Sequence, residues 1–103
     1  MIMDNFEFQA NKSIEKDINM VTPWYLMASY AYYVEDDPIF NDSFYDNLSR
    51  IFKEEWENIN HFHKYLVSLD DLSAGTYLGE YPKRVVGSLG NLRKSVDNHQ
   101  QLK

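Results

Sequence analysis

The chain has 103 residues, enough for one domain with a single modest core. Its 44% hydrophobic and 25% charged residues argue against wholesale disorder, and the absence of cysteine excludes disulfides, a thiolate zinc site and a cysteine nucleophile. A net charge of −6 disfavours direct nucleic-acid binding, because neutralising phosphates supplies most of that affinity.

The N-terminus, MIMDNFEFQANKSIEKD, lacks the basic and apolar regions of a signal peptide, and no apolar run approaches a membrane span. The expectation is a soluble cytoplasmic protein without membrane contact. Residues 1–12 show no sustained periodicity and read as an N-terminal arm, followed by a helical turn within 13–20. Thr22-Pro23-Trp24 is a start signal, a hydroxyl N-cap followed by proline at the first helical position, and predicts a helix from Pro23 to about Glu35. Trp24, Met27, Ala28, Ala31 and Val34 make its core stripe, leaving Tyr25, Ser29, Tyr32 and Tyr33 on a more polar side.

Asp36-Asp37-Pro38 stops that helix, since proline pushes the preceding residue out of the helical region. Asn41 or Asp42 should cap the next one. Tyr45, Leu48, Phe52, Trp56, Ile59, Phe62, Leu66 and Leu69 then recur in steps of three or four, which predicts a helix from about 43 to 68 with an interruption allowed near Asn58–Asn60. Residues 70–75 read as a turn and 76–81 as extended or irregular chain. Val85, Val86, Leu89, Leu92 and Val96 predict a C-terminal helix over 83–96, despite Gly87 and Gly90. The fold class is all-α: a helical hairpin (23–35 and 43–68) plus a C-terminal helix, within one domain over 13–97, ending in a polar tail at 98–103.

Asp42, Tyr45 and Asp46 stand at i, i+3 and i+4, sharing one face near the positive end of their helix. Tyr32 and Tyr33 end the preceding helix, so a short turn brings five polar and aromatic side chains together. Such a corner suits a nicotinamide nucleotide: aromatic faces attract the pyridinium ring, and carboxylates accept hydrogen bonds from ribose hydroxyls or the carboxamide.

The order Tyr30-x-Tyr32-Tyr33-Val34-x-Asp36-Asp37-Pro38, then Asp42, Tyr45, Asp46 and Leu48, resembles the N-terminal helical domain of bacterial NAD-dependent DNA ligases. The likeness is good over residues 24–50 and thin elsewhere. In that family the domain binds the nicotinamide mononucleotide (NMN) half of NAD and closes it over an adenylation domain. The resemblance implies ligand-binding roles for Tyr32, Tyr33, Asp42, Tyr45 and Asp46, with NMN or NAD as the ligand; Tyr33 stands where the ligases usually have histidine. None of the seven lysines lies in the family's K-x-D-G nucleophile motif, so the expectation is a module without catalysis of its own.

The competing expectation is a small interaction protein, of the kind phage genomes carry, whose nucleotide site is a relic and whose aromatic surface engages a host or partner protein. The aromatic stripe through Trp56 and Phe62 would also suit a homodimer. Negative charge alone would suit a nucleic-acid mimic, but no phosphate-like spacing of carboxylates is visible. His61-Phe62-His63 is no metal expectation, because histidines two apart on a helix point to different sides.

Overall fold

The computed structural model describes residues 5–75, 77 and 79–101, with side chains for 6–75, 77 and 79–94. Five helices follow in order: α1 (Asn5–Lys16), α2 (Val21–Tyr33), α3 (Asp42–Glu54), α4 (Leu69–Ala74) and α5 (Lys83–Gln101). No strand occurs among the described residues, so the fold is all-α. None of these helices is long and apolar enough to cross a membrane.

Helix α2 is the axle of the domain. It packs against α1, α3 and α5, and Val21, Thr22, Ala31 and every residue from Trp24 to Ser29 are buried. Each large apolar side chain of this set contributes about 1.5–3 kcal/mol when removed from water. Encirclement by three helices corrects the two-faced reading of this segment: Tyr25 and Ser29 are fully buried, whereas Val34, expected in the core, is 54% exposed just beyond the helix end.

The helix also begins two residues earlier than the Thr-Pro signal suggests. Asp17 caps a single 3-10 turn, Ile18–Met20, by accepting from the Asn19 N–H at 3.0 Å, and that turn runs straight into α2. Thr22 is therefore a helical residue, not the cap. Pro23 still sits in the first turn, where a backbone N–H has no intrahelical acceptor to lose.

At the other end the Tyr30 carbonyl accepts from Val34 and Glu35, and the Ala31 carbonyl accepts from Asp37 at 2.8 Å. The reversal puts Asp36 in the left-handed region at φ 54°, which aspartate tolerates better than most residues. Arg93 of α5 fastens this turn from outside. Its Nε and Nη2 donate to Glu35 Oε1 at 3.1 and 2.9 Å, Nη2 also donates to the Asp37 carbonyl at 2.6 Å, and Nη1 lies 3.2 Å from Asp37 Oδ2.

Asn41, not Asp42, caps α3, its side chain accepting from the Phe44 N–H at 2.8 Å. Tyr45, Leu48, Ser49 and Phe52 form the buried stripe at helical spacing. The helix expected to reach residue 68 ends at Glu54. Glu54, Glu55 and Glu57 crowd its negative end, and β-branched Ile59 lies between two asparagines; both features oppose continuation. A 3-10 turn at Trp56–Asn58 follows, then Ile59 in extended conformation and fully buried, then a second 3-10 turn at Lys64–Leu66. Asn60 N–H donates to Asn19 Oδ1 at 2.7 Å, and Lys64 Nζ donates to the Trp56 carbonyl at 2.6 Å, so side chains and loops satisfy this backbone instead of a helical ladder. Phe62 and Leu69, expected in the apolar stripe, are exposed.

The segment read as a turn after residue 69 is α4. Ser68 and Asp71 form a reciprocal capping box (3.0 and 3.1 Å), and Gly75 ends the helix at φ 78°. Tyr77 and residues 79–81 are irregular, as expected. The arm is corrected as well: residues 5–12 belong to α1, whose Ala10 is fully buried, while residues 1–4 lie outside the described residues. Helix α5 buries Val85 and Leu89 and continues through 98–101, where a polar tail was expected; the Val96 side chain and residues 102–103 lie outside the description.

Candidate functional site

The expected corner forms where α2 ends and α3 begins. Tyr32, the last residue but one of α2, is 40% exposed, and its ring stacks on Tyr33 with centroids 4.8 Å apart and planes 4° from parallel. Tyr33 is half-buried and donates its hydroxyl to the Gly75 carbonyl at 3.3 Å, tying the corner to the end of α4. Tyr45 comes up from beneath, edge-on to Tyr32 at 6.2 Å. Asp42 and Asp46 lie one turn apart on α3, both exposed.

Tyr45 differs from expectation. It is 5% exposed, one face stacks on Tyr25 at 5.5 Å, and its hydroxyl lies 2.7 Å from Ser29 Oγ. Ser29 spends its one proton on the Tyr25 carbonyl at 2.8 Å, so Tyr45 must donate to Ser29. Tyr45 thus supports the corner from inside the core and offers a ligand neither an open face nor a free hydroxyl. The cause is the burial of α2 on all sides, which places Tyr25 and Ser29 where a half-exposed helix would have left room.

The tyrosines face one another. Contacts of 4.8–6.2 Å run from Tyr33 through Tyr32, Tyr45, Tyr25, Tyr77 and Tyr81 to Tyr30. Seven of the eight tyrosines form this chain; Tyr65 stands apart and exposed. Burial raises the phenol pKa of Tyr33 and of Tyr45 above the ordinary value, with the Asp46 charge adding to both. Tyr77 is pushed up to about 12, chiefly by burial. All three are neutral hydrogen-bonding groups at pH 7.

A concavity lies against the first half of α2. A cleft of about 540 Å³ opens between α1, the start of α2, α5 and the loop 61–63. None of the five expected site residues lines it. Pro23, Trp24 and Met27 of α2 and Val85 and Leu92 of α5 supply apolar wall, and His61, Phe62, His63 and Arg84 surround it. Because 61–63 is not helical, the two histidines do come together: the rings are 5.4 Å apart and the His63 N–H donates to His61 Nδ1 at 3.1 Å. The helical argument for keeping them apart therefore fails. Burial lowers the His61 pKa, and the His63 ring adds to the effect.

Sequence reasoning missed Ser29 and Arg93, which position the corner, and the whole cleft. Ser29 follows Tyr25 by one helical turn, a spacing that could have exposed the pair; Arg93 acts across 58 residues and left no local signal. No protein-family model, curated protein or solved structure matches the chain.

Proposed function

We propose that the chain is a non-catalytic module that binds the nicotinamide riboside portion of NMN or NAD at the corner between α2 and α3. One observation carries this: Tyr32, Tyr33, Tyr45 and Asp46 meet at one corner, with Asp42 a turn away, in the order of the ligase domain that the sequence resembles. Tyr32 is the exposed ring and offers its surface to the cationic pyridinium. Asp42 and Asp46 are exposed acceptors for ribose hydroxyls or the carboxamide. Tyr33 and Tyr45 hold Tyr32 in place.

The electrostatics refine the ligand. Glu35, Asp36, Asp37, Asp42 and Asp46 all belong to the turn and the first part of α3, and Arg93, the cation beside them, is engaged by Glu35 and Asp37. Such surroundings favour a cation and oppose a phosphate. Nicotinamide riboside is therefore expected to bind at least as tightly as NMN. One exposed ring and two exposed carboxylates support a dissociation constant of roughly 1 mM. Without a K-x-D-G lysine, the module would sense the nucleotide or act beside a separate adenylating protein.

Calorimetric titration tests the proposal. Saturable binding of NMN and NAD but not AMP, weakened at least fivefold by Asp46→Asn and by Tyr32→Ala with the thermal transition preserved, is the expected result. Absence of binding at 10 mM ligand by a folded protein, or equal binding of AMP, overturns it (on the order of the weakest useful affinity). A protein-interaction module is the second reading, favoured by the exposed Tyr65 and by the exposed Leu69 at the start of α4; it predicts no response to any nicotinamide compound.

A further inference from the structure

The cleft opposite the tyrosine corner has a composition at odds with the rest of the chain. Sixteen aspartates and glutamates give the protein its negative charge, yet none of the residues lining the cleft is acidic. Half of its lining residues are apolar: Met20, Pro23, Phe62 and Leu92 offer open surface over the buried Trp24, Met27 and Val85. Arg84 stands in the first turn of α5 with its guanidinium 5.9 Å from the centre of the Phe62 ring. Among the described residues, Arg84 has no carboxylate within 4.0 Å, in contrast to Arg50 and Arg93. Phe62 itself is 64% exposed at the rim, stacked at 4.7 Å on His61.

Phe62, stacked on His61 and within reach of the Arg84 guanidinium, adds an apolar edge to the mouth of the cleft. The volume of about 540 Å³ falls within the range of small-molecule sites, and a cation at the mouth of a partly apolar cleft is an arrangement that orients an amphipathic anion. Apolar walls accept a flat ring system by burying its faces. The guanidinium, with paired N–H donors in one plane, accepts a carboxylate at the ring's edge.

We infer that this cleft is a second binding site, distinct from the tyrosine corner, for a small planar apolar molecule carrying a carboxylate, with Arg84 receiving the carboxylate and Pro23, Phe62 and Leu92, the lining residues with open apolar surface, enclosing the ring. The inference does not depend on nucleotide binding at the corner. Opposite charge preferences keep the two sites apart: the corner is ringed by acids, whereas the cleft contains none.

The test uses 2-naphthoate and its uncharged counterpart 2-naphthamide, each titrated into the isotope-labelled protein and followed by amide chemical shifts. Naphthoate is expected to shift residues 20–27, 61–63 and 84–92 and to bind about tenfold more tightly than the amide, the worth of one charge-assisted contact. Arg84→Gln should remove that preference. Ser88→Phe, which places bulk in the cleft from an exposed position on α5, should abolish both interactions while the thermal transition persists. Equal affinity for acid and amide, a preference that survives Arg84→Gln, shifts confined to other residues, or no shift at all would each overturn the inference.

Discussion

The two ends of α2 solve the problem of aromatic surface in opposite ways. At its C-terminal end, Tyr32 and Tyr33 stack and head a line of seven tyrosines that runs inward, hydroxyls such as those of Tyr33 and Tyr45 are taken up internally, and carboxylates project outward. About 12 Å from Tyr32 along the axis, Trp24 lies beneath an open cleft whose charged neighbour, Arg84, is cationic. The corner is thus a packed acidic surface and the cleft a partly apolar hollow. A stretch dense in tyrosine need not build a pocket, because the rings can fill one another's space, while a pocket can arise where no local motif announces it.

The comparison breaks first at Tyr45, which belongs to the corner and the core together. Tyr45→Ala should cost about 3–5 kcal/mol, as removal of a large buried ring does, and thermal unfolding will show both sites lost together. Alkali reaches the same network. The raised folded-state values of Tyr33, Tyr45 and Tyr77 mean that neutral phenols stabilise the fold fully below the ordinary value near pH 10. That stability is lost as pH rises through the raised values, about 12 for Tyr77. The part of the tyrosinate absorbance that comes from these three residues should therefore appear together with loss of helical circular dichroism.

A more selective break is Arg93→Ala, which frees the turn at 35–37. We expect a loss of about 1–2 kcal/mol in urea unfolding and weaker binding of NMN, with naphthoate binding unchanged. Two phenylalanine substitutions sharpen the account within the core. Tyr45→Phe loses the bond to Ser29 and should cost about 1 kcal/mol. Tyr25→Phe removes a buried hydroxyl that has no partner among the described residues and should stabilise by about 1 kcal/mol. The smallest effect is expected at Asp36, where glycine relieves the left-handed backbone and should stabilise by about 0.5 kcal/mol in the same urea assay.

The hairpin was legible because its punctuation is strong: Asp36-Asp37-Pro38 and Asn41 mark the reversal, and Tyr45, Leu48 and Phe52 mark the buried stripe of α3. The irregular run after Glu54 was not, since two 3-10 turns keep apolar residues at nearly helical intervals while the chain leaves the helix. Helix α1 had a readable stripe in Phe6, Ala10 and Ile14, obscured by its many polar neighbours. The box of Ser68 and Asp71 with Gly75 was a local signal for α4 hidden by the expectation of a longer helix. Assembly of the corner could be anticipated from spacing, but the burial of Tyr45 could not, because it depends on α2 being enclosed by helices distant in sequence. The cleft draws on four separate segments, so no local pattern could reveal it.

The most direct test of the central claim follows amide shifts of the labelled protein as nicotinamide riboside, NMN and AMP are added in turn. The account predicts saturable shifts confined to residues 30–46, riboside binding at least as tightly as NMN, and no saturable change there with AMP. A folded protein whose corner amides stay still at millimolar riboside and NMN would contradict it.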